Sequence, residues 1–166
     1  MFRRKKRRDN QDDAANPYDG LRAMALNSVS SGLALPSSDH PDVSGVVVDV
    51  PAQGGFATFV ALTDNTTSLY TSTGGGTIGA GEHRPVAEAN HRLLTVVEAH
   101  LGSFTRKDDG LFPATGSVRL HVLTPSGNRD HDVSEDSFWG RAPSPLMPVI
   151  AAVQELITAI SSASPG

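Results

Sequence analysis

A chain of 166 residues with 38% apolar content carries enough Val, Leu, Ile and Phe for one modest core and not for two. It has no cysteine, which excludes disulfides, thiolate metal sites and cysteine nucleophiles. The net charge of −4 conceals a division: Arg3, Arg4, Lys5, Lys6, Arg7 and Arg8 sit in the first eight residues, leaving 8 of the 14 basic residues against 18 acidic ones, a balance of −10, for the rest. An acidic body is a poor nucleic-acid binder, because neutralising phosphates supplies most of that affinity.

Residues 1–16 run from this basic block into Asp9, Asn10, Gln11, Asp12 and Asp13. Such a segment cannot bury apolar surface, so it is expected to be a disordered, solvated arm. Its six cations make it a candidate electrostatic tether to an anionic membrane surface, each worth about 1 kcal/mol there. Contact with nucleic acid is expected only through the same arm. Residue 2 is Phe2 and not Gly, so no myristoylation signal reinforces it. No window approaches the ~18 consecutive apolar residues of a membrane span. No apolar stretch follows the charged start as it would in a secretory signal, and a cytoplasmic location is expected.

A single domain is expected over 17–161, with 162–166 as a tail. Asn16-Pro17 is a helix start, since Asn caps and Pro at the first helical position gives up an N–H that is unpaired anyway. Leu21, Met24, Ala25 and Val29 continue it at helical spacing, predicting a helix over 17–30. Gly32 to Val43, with Pro36 and Pro41, is a connector. Three strands with short turns follow, over 45–50, 56–63 and 68–72, and read as an antiparallel meander. Phe59 and Tyr70 break strict alternation, which implies that parts of both sheet faces are covered.

A Gly run, 73–81, leads to the strongest helix. Pro85 opens it, and Val86, Ala89, Leu93, Val96, Val97 and Leu101 make one apolar stripe. Gly102 is the expected terminator. After a polar loop over 106–116, Val118, Leu120 and Val122 alternate with Arg119, His121 and Leu123, predicting a half-buried strand. Pro125-Ser126-Gly127-Asn128 turns it back into a short strand near 130–133. Ser144-Pro145 opens a final helix with Leu146, Val149, Ile150, Val153, Ile157 and Ile160 on one face.

The predicted order is α-βββ-α-ββ-α: an α+β fold with an antiparallel sheet of about five strands and helices packed on it. Over residues 17–160 this order and these helix stripes resemble the type III secretion chaperone-like fold, including the YbjN-like family of small bacterial proteins. The resemblance implies a non-enzymatic, often dimeric protein that binds other proteins. A roadblock- or profilin-like sheet is the competing topology, and differs in where the middle helix interrupts the strands.

Gly74, Gly75, Gly76, Thr77, Ile78 and Gly79 match G-x-G-x-x-G after a strand. A dinucleotide fingerprint needs its helix to begin inside the motif, with N–H groups facing the pyrophosphate. Here the helix waits until Pro85, and no Gly-Lys-Ser/Thr ending marks a P-loop. The run is therefore expected to be an architectural turn that uses positive φ. The alternative is a small-ligand, anion or nucleotide sensor, in which Gly74, Gly75, Gly76, Thr77 and Gly79 supply an amide concavity and Thr73, His83 and Arg84 add donors.

No catalytic set, cofactor or metal site is expected. Glu82-His83 has no nucleophile beside it. His91 and His100 lie on opposite sides of their helix, and His121 and His131 are expected to be solvated in their hairpin with Asp130 and Asp132. Asp49 and Asp64 are assigned to turns. Phe138 and Trp139 form either a lid on the core or an exposed protein-contact anchor. The leading expectation is a non-enzymatic protein-interaction module acting with a partner protein or as a homodimer.

Overall fold

The computed structural model describes residues 17–163. The basic arm Arg3–Arg8 lies outside them. The elements in chain order are α1 (Pro17–Leu26), β1 (Gly45–Ala52), β2 (Gly55–Leu62), β3 (Thr67–Thr71), β4 (Gly76–Thr77), α2 (Arg84–Ala99), β5 (Thr105–Arg106), β6 (Ser117–Thr124), β7 (Gly127–Ser134), α3 (Glu135–Phe138) and α4 (Met147–Ala163). The strands form one antiparallel sheet in the order β4-β3-β2-β1-β6-β7-β5. The α+β class with an antiparallel sheet is therefore what the chain adopts.

The sheet has seven strands where about five were expected. The five long strands are the expected ones, and β4 and β5 are two-residue additions at its two edges. Their extended backbone comes from pairing with β3 and β7, a non-local cause that residues 76–77 and 105–106 do not advertise. α1 stops at Leu26 instead of running to Ser30. The cause is local: Ser28 N bonds to Ala25 O, one residue short of helical spacing, and Gly32 then turns the chain with φ 77°. The four-residue α3, capped by Ser134 accepting from Ser137 N, falls where irregular chain was expected.

β1 is central and buried on both faces, which explains its near-continuous apolar run. Val46, Val48 and Val50 face the main core, where Val86, Leu93 and Val97 of α2 and Val149, Val153 and Ile160 of α4 pack. One rung crosses that core: Val48 lies opposite Phe59 on β2 and Leu120 on β6. α2 and α4 bury most of the side chains their spacing promised, with Val96, Leu101 and Ile157 only half-buried, and Arg92 and Glu155 pair across their outer edges. Val47 faces the other way, into a smaller cluster with Ala25, Leu26, Ala34, Val60, Leu62 and Leu123 under α1 and the connector.

The Gly run is the β3–β4 hairpin and the passage into α2. Gly74, Gly75 and Gly76 take φ values of 105°, 91° and 154°, and Thr71 holds the turn by donating from its hydroxyl to the Gly74 carbonyl. A Cβ at Gly76 would lie 2.2 Å from Leu69 O. Gly76→Ala is therefore expected to destabilise the chain by about 2 kcal/mol or more. Urea unfolding measures this directly, and an unchanged midpoint would contradict the tight β3–β4 approach.

Candidate functional site

The residues singled out in the Gly run do not converge on one site. Gly76, Thr77, Gly79 and His83 line a hollow of about 480 Å³, together with Glu82 and Ala163. Gly74 and Gly75 sit at the hairpin tip, where the Gly74 amide and both carbonyls are engaged by Thr71. Arg84 lines a different hollow and pairs with Glu88. α2 begins at Arg84, past the last glycine of the motif, so the helix does not start inside the run as a dinucleotide fingerprint requires.

Phe138 and Trp139 part company. Phe138 is buried in the main core, whereas Trp139 is 48% exposed and meets Phe138 edge-on at 4.9 Å. Of the two hairpin histidines expected to be solvated, His121 is buried instead. His121 and His131 point to opposite sheet faces, since Asp130 and not His131 is opposite His121. His131 meets Ser103 O and Phe104 at the edge. His91 meets His40 of the connector, 2.8 Å between Nδ1 and Nε2. Among the described residues no group of three His, Asp or Glu is arranged to hold a metal.

Asp49, assigned to a turn from sequence, lies in the middle of β1 and is fully buried. It faces α1 and is the hub of a polar network. Arg22 grips it through Nη2 to Oδ2 at 2.8 Å and Nε to Oδ1 at 3.1 Å. Thr58 of β2 donates to Oδ1 at 2.7 Å, so Tyr18, 2.6 Å from Thr58 Oγ1, is the donor of that next bond. His121 of β6 reaches Oδ2 through Nε2 at 2.7 Å, and its Nδ1 contacts Asp130 Oδ1 at 3.0 Å. Phe112 stacks on Arg22 at 3.9 Å, which roofs the cluster. The sequence signal was available: an Asp inside a Val run, and His and Arg at alternate positions of a second strand.

Burial alone would raise the Asp49 pKa, but the hydrogen bonds from His121 and Arg22 outweigh it and hold it at about 2. Burial would lower His121, yet hydrogen bonds to Asp130 and Asp49 push it above its usual value. The favoured species is an imidazolium donating to two carboxylates. Such a carboxylate–imidazole–carboxylate triad can relay protons, but Asp49 at 0% and His121 at 1% exposure are out of a substrate's reach. The network fastens α1 to the sheet.

A surface feature lies beside it. α1, the connector and strands β2–β3 enclose an apolar groove of about 210 Å³, formed by Leu21, Met24, Leu33, Val60, Leu62 and Tyr70. Met24 and Leu33 at its rim are 56% and 58% exposed, and the neighbouring Leu35 is 63% exposed. No protein-family model, curated protein or solved structure matches the chain.

The network has a pH signature. The raised His121 contributes stability fully present below its unfolded value near 6.5 and lost as pH rises through its folded value. The lowered Asp49 contributes stability present above 3.8 and lost as pH falls towards 2. Denaturant unfolding across pH should show greatest stability between about 4 and 6.5, declining above. Asp49→Ala strands Arg22 and leaves His121 with Asp130 alone, and should cost about 3–5 kcal/mol, with the alkaline decline reduced. A wild-type profile flat from pH 5 to 9 would contradict a charged His121.

Proposed function

We propose that this chain is a non-enzymatic protein-interaction module of the cytoplasm, which binds a partner protein or a second copy of itself through the groove beside α1. The observation that carries this reading is the cluster of exposed Met24 and Leu33 around an apolar groove. Isolated surface leucines need no explanation, but apolar side chains gathered at a concave rim favour a protein contact. Flexible Met24 and the amphipathic ring of Tyr70 suit such a surface.

Two other features support it. The strongest acid–base cluster is buried and serves packing. The proposed likeness to the type III secretion chaperone-like fold rests on element order alone, in which α2 follows strands β1–β4. Among the described residues no helix is long and apolar enough to cross a membrane.

Self-association is the first case to test, by light scattering over a dilution series. Met24→Glu with Leu33→Glu should weaken a dimer by at least about tenfold, since each loses apolar burial worth over 1 kcal/mol. Thermal stability should hold, because both side chains are exposed. A photo-crosslinking residue in place of Leu33 checks for other partners. A chain monomeric at every concentration, with no crosslinked protein from its own cell, would sink the reading.

A further inference from the structure

A second hollow, of about 520 Å³, lies between the first turns of α2, the connector turn at Ser37–His40 and the β2–β3 turn. It shares no wall with the groove except near Thr63–Thr66, and its lining residues are more polar and charged. The wall carries both signs of charge: Arg84 and Arg92 against Asp39 and Glu88. Two more of its side chains are nearly fully buried, His40 at 3% and Asn90 at 0% exposure. Each has a polar atom without a partner, His40 Nδ1 and Asn90 Oδ1. Of the four such atoms among the described residues, two belong to this one wall. Unsatisfied buried groups cost enough that their pairing at one place calls for a cause.

The surroundings define what would satisfy them. Asn90 Nδ2 donates to Thr67 Oγ1 at 2.6 Å, so the unpaired atom is the amide oxygen, an acceptor. His40 is held below its usual pKa by burial and by His91, and is neutral at pH 7. With its proton on Nε2, donated to His91 Nδ1, its Nδ1 is a second acceptor. Two acceptors and the Asp39 carboxylate on one wall suit a cationic donor. The other end carries Glu88 together with positive groups. It holds the N-terminus of the 16-residue α2, whose N-cap His83 makes no side-chain cap bond. Arg84 stands there too, and its pair with Glu88 engages only Nε.

We propose that this hollow binds a small zwitterion of the α-amino-acid class. The ammonium faces Asn90 Oδ1 and His40 Nδ1, and the carboxylate faces Arg84 and the first turn of α2. Solvent reaches neither acceptor, so binding requires side chains of this wall to shift and admit the donor. The site is independent of the groove, and neither reading needs the other.

The test follows the imidazole proton and nitrogen signals of His40 and His91 in the full chain during titration with alanine. Acetate and methylammonium serve as half-ligands with one charge each. Alanine should shift both histidines saturably, and either half-ligand should bind at least about tenfold more weakly, because each forfeits one charge-assisted contact. Arg84→Ala, at an exposed position, should weaken alanine about fivefold or more without changing the fold. Met24→Glu with Leu33→Glu should leave the titration untouched. No saturable shift by about 10 mM, a Kd beyond which only some 3 kcal/mol of affinity remains, would overturn the proposal. So would acetate binding as well as alanine, or an Arg84→Ala titration equal to wild type.

Discussion

The constraint on which most of this structure turns is the carboxylate of Asp49, sunk in the central strand with no contact with water. An ionised carboxylate in such a place is tolerated only when it is paired and its lone pairs are filled. Arg22, Thr58 and His121 fill them. Those three come from α1, β2 and β6, so one charge ties the flanking helix and both neighbours of β1 together. Asp130 extends the tie to β7 by holding the far nitrogen of His121. Phe112, from the long loop before β6, stacks on both Arg22 and Phe56 and closes the cluster over.

This divides the molecule into two unlike layers. On one face, α2 and α4 cover the sheet with aliphatic packing, non-directional and tolerant of conservative change. On the other, α1 is short and has only a small apolar cluster beneath it. Directional polar contacts make up the difference. α1 is fastened by Tyr18 near its start and Arg22 at its middle, and the groove by Met24 and Leu33 opens beside its second half. The proposed docking surface thus follows from how α1 is held.

The connector links the layers. Ala34 lies in the cluster under α1, while Val43 joins the main core on the opposite face. Between them His40 meets His91, and Glu98 of α2 accepts the amides of Asp42 and Val43. Crossing the end of the sheet in this way leaves a polar hollow against α2. The glycine motif, for its part, belongs to the sheet edge: close backbone approach at Leu69 explains Gly76 without a ligand.

What the sequence determined by itself was whatever depends on periodicity and on backbone chemistry. Valine runs, alternation and turn residues marked four of the long strands and part of β7, the 3.6-residue stripes marked α2 and α4, and Pro85 with the late helix start argued against a pyrophosphate loop. These are local properties, written within a dozen residues. The tertiary structure decided everything that needs two distant segments. Residues 76–77 and 105–106 became strands only because β3 and β7 offered partners. Asp49 became a hub because residues 22, 58 and 121 arrive around it, and His40 and Asn90 share a wall although 50 positions separate them. Phe138 and Trp139, adjacent in sequence, divided between core and surface because a short capped helix turns one inward. Residue type says that a side chain can carry a charge or fill a core. Only the fold says what stands opposite it, and that decides whether a charge is a hub, a ligand contact or a solvated surface group.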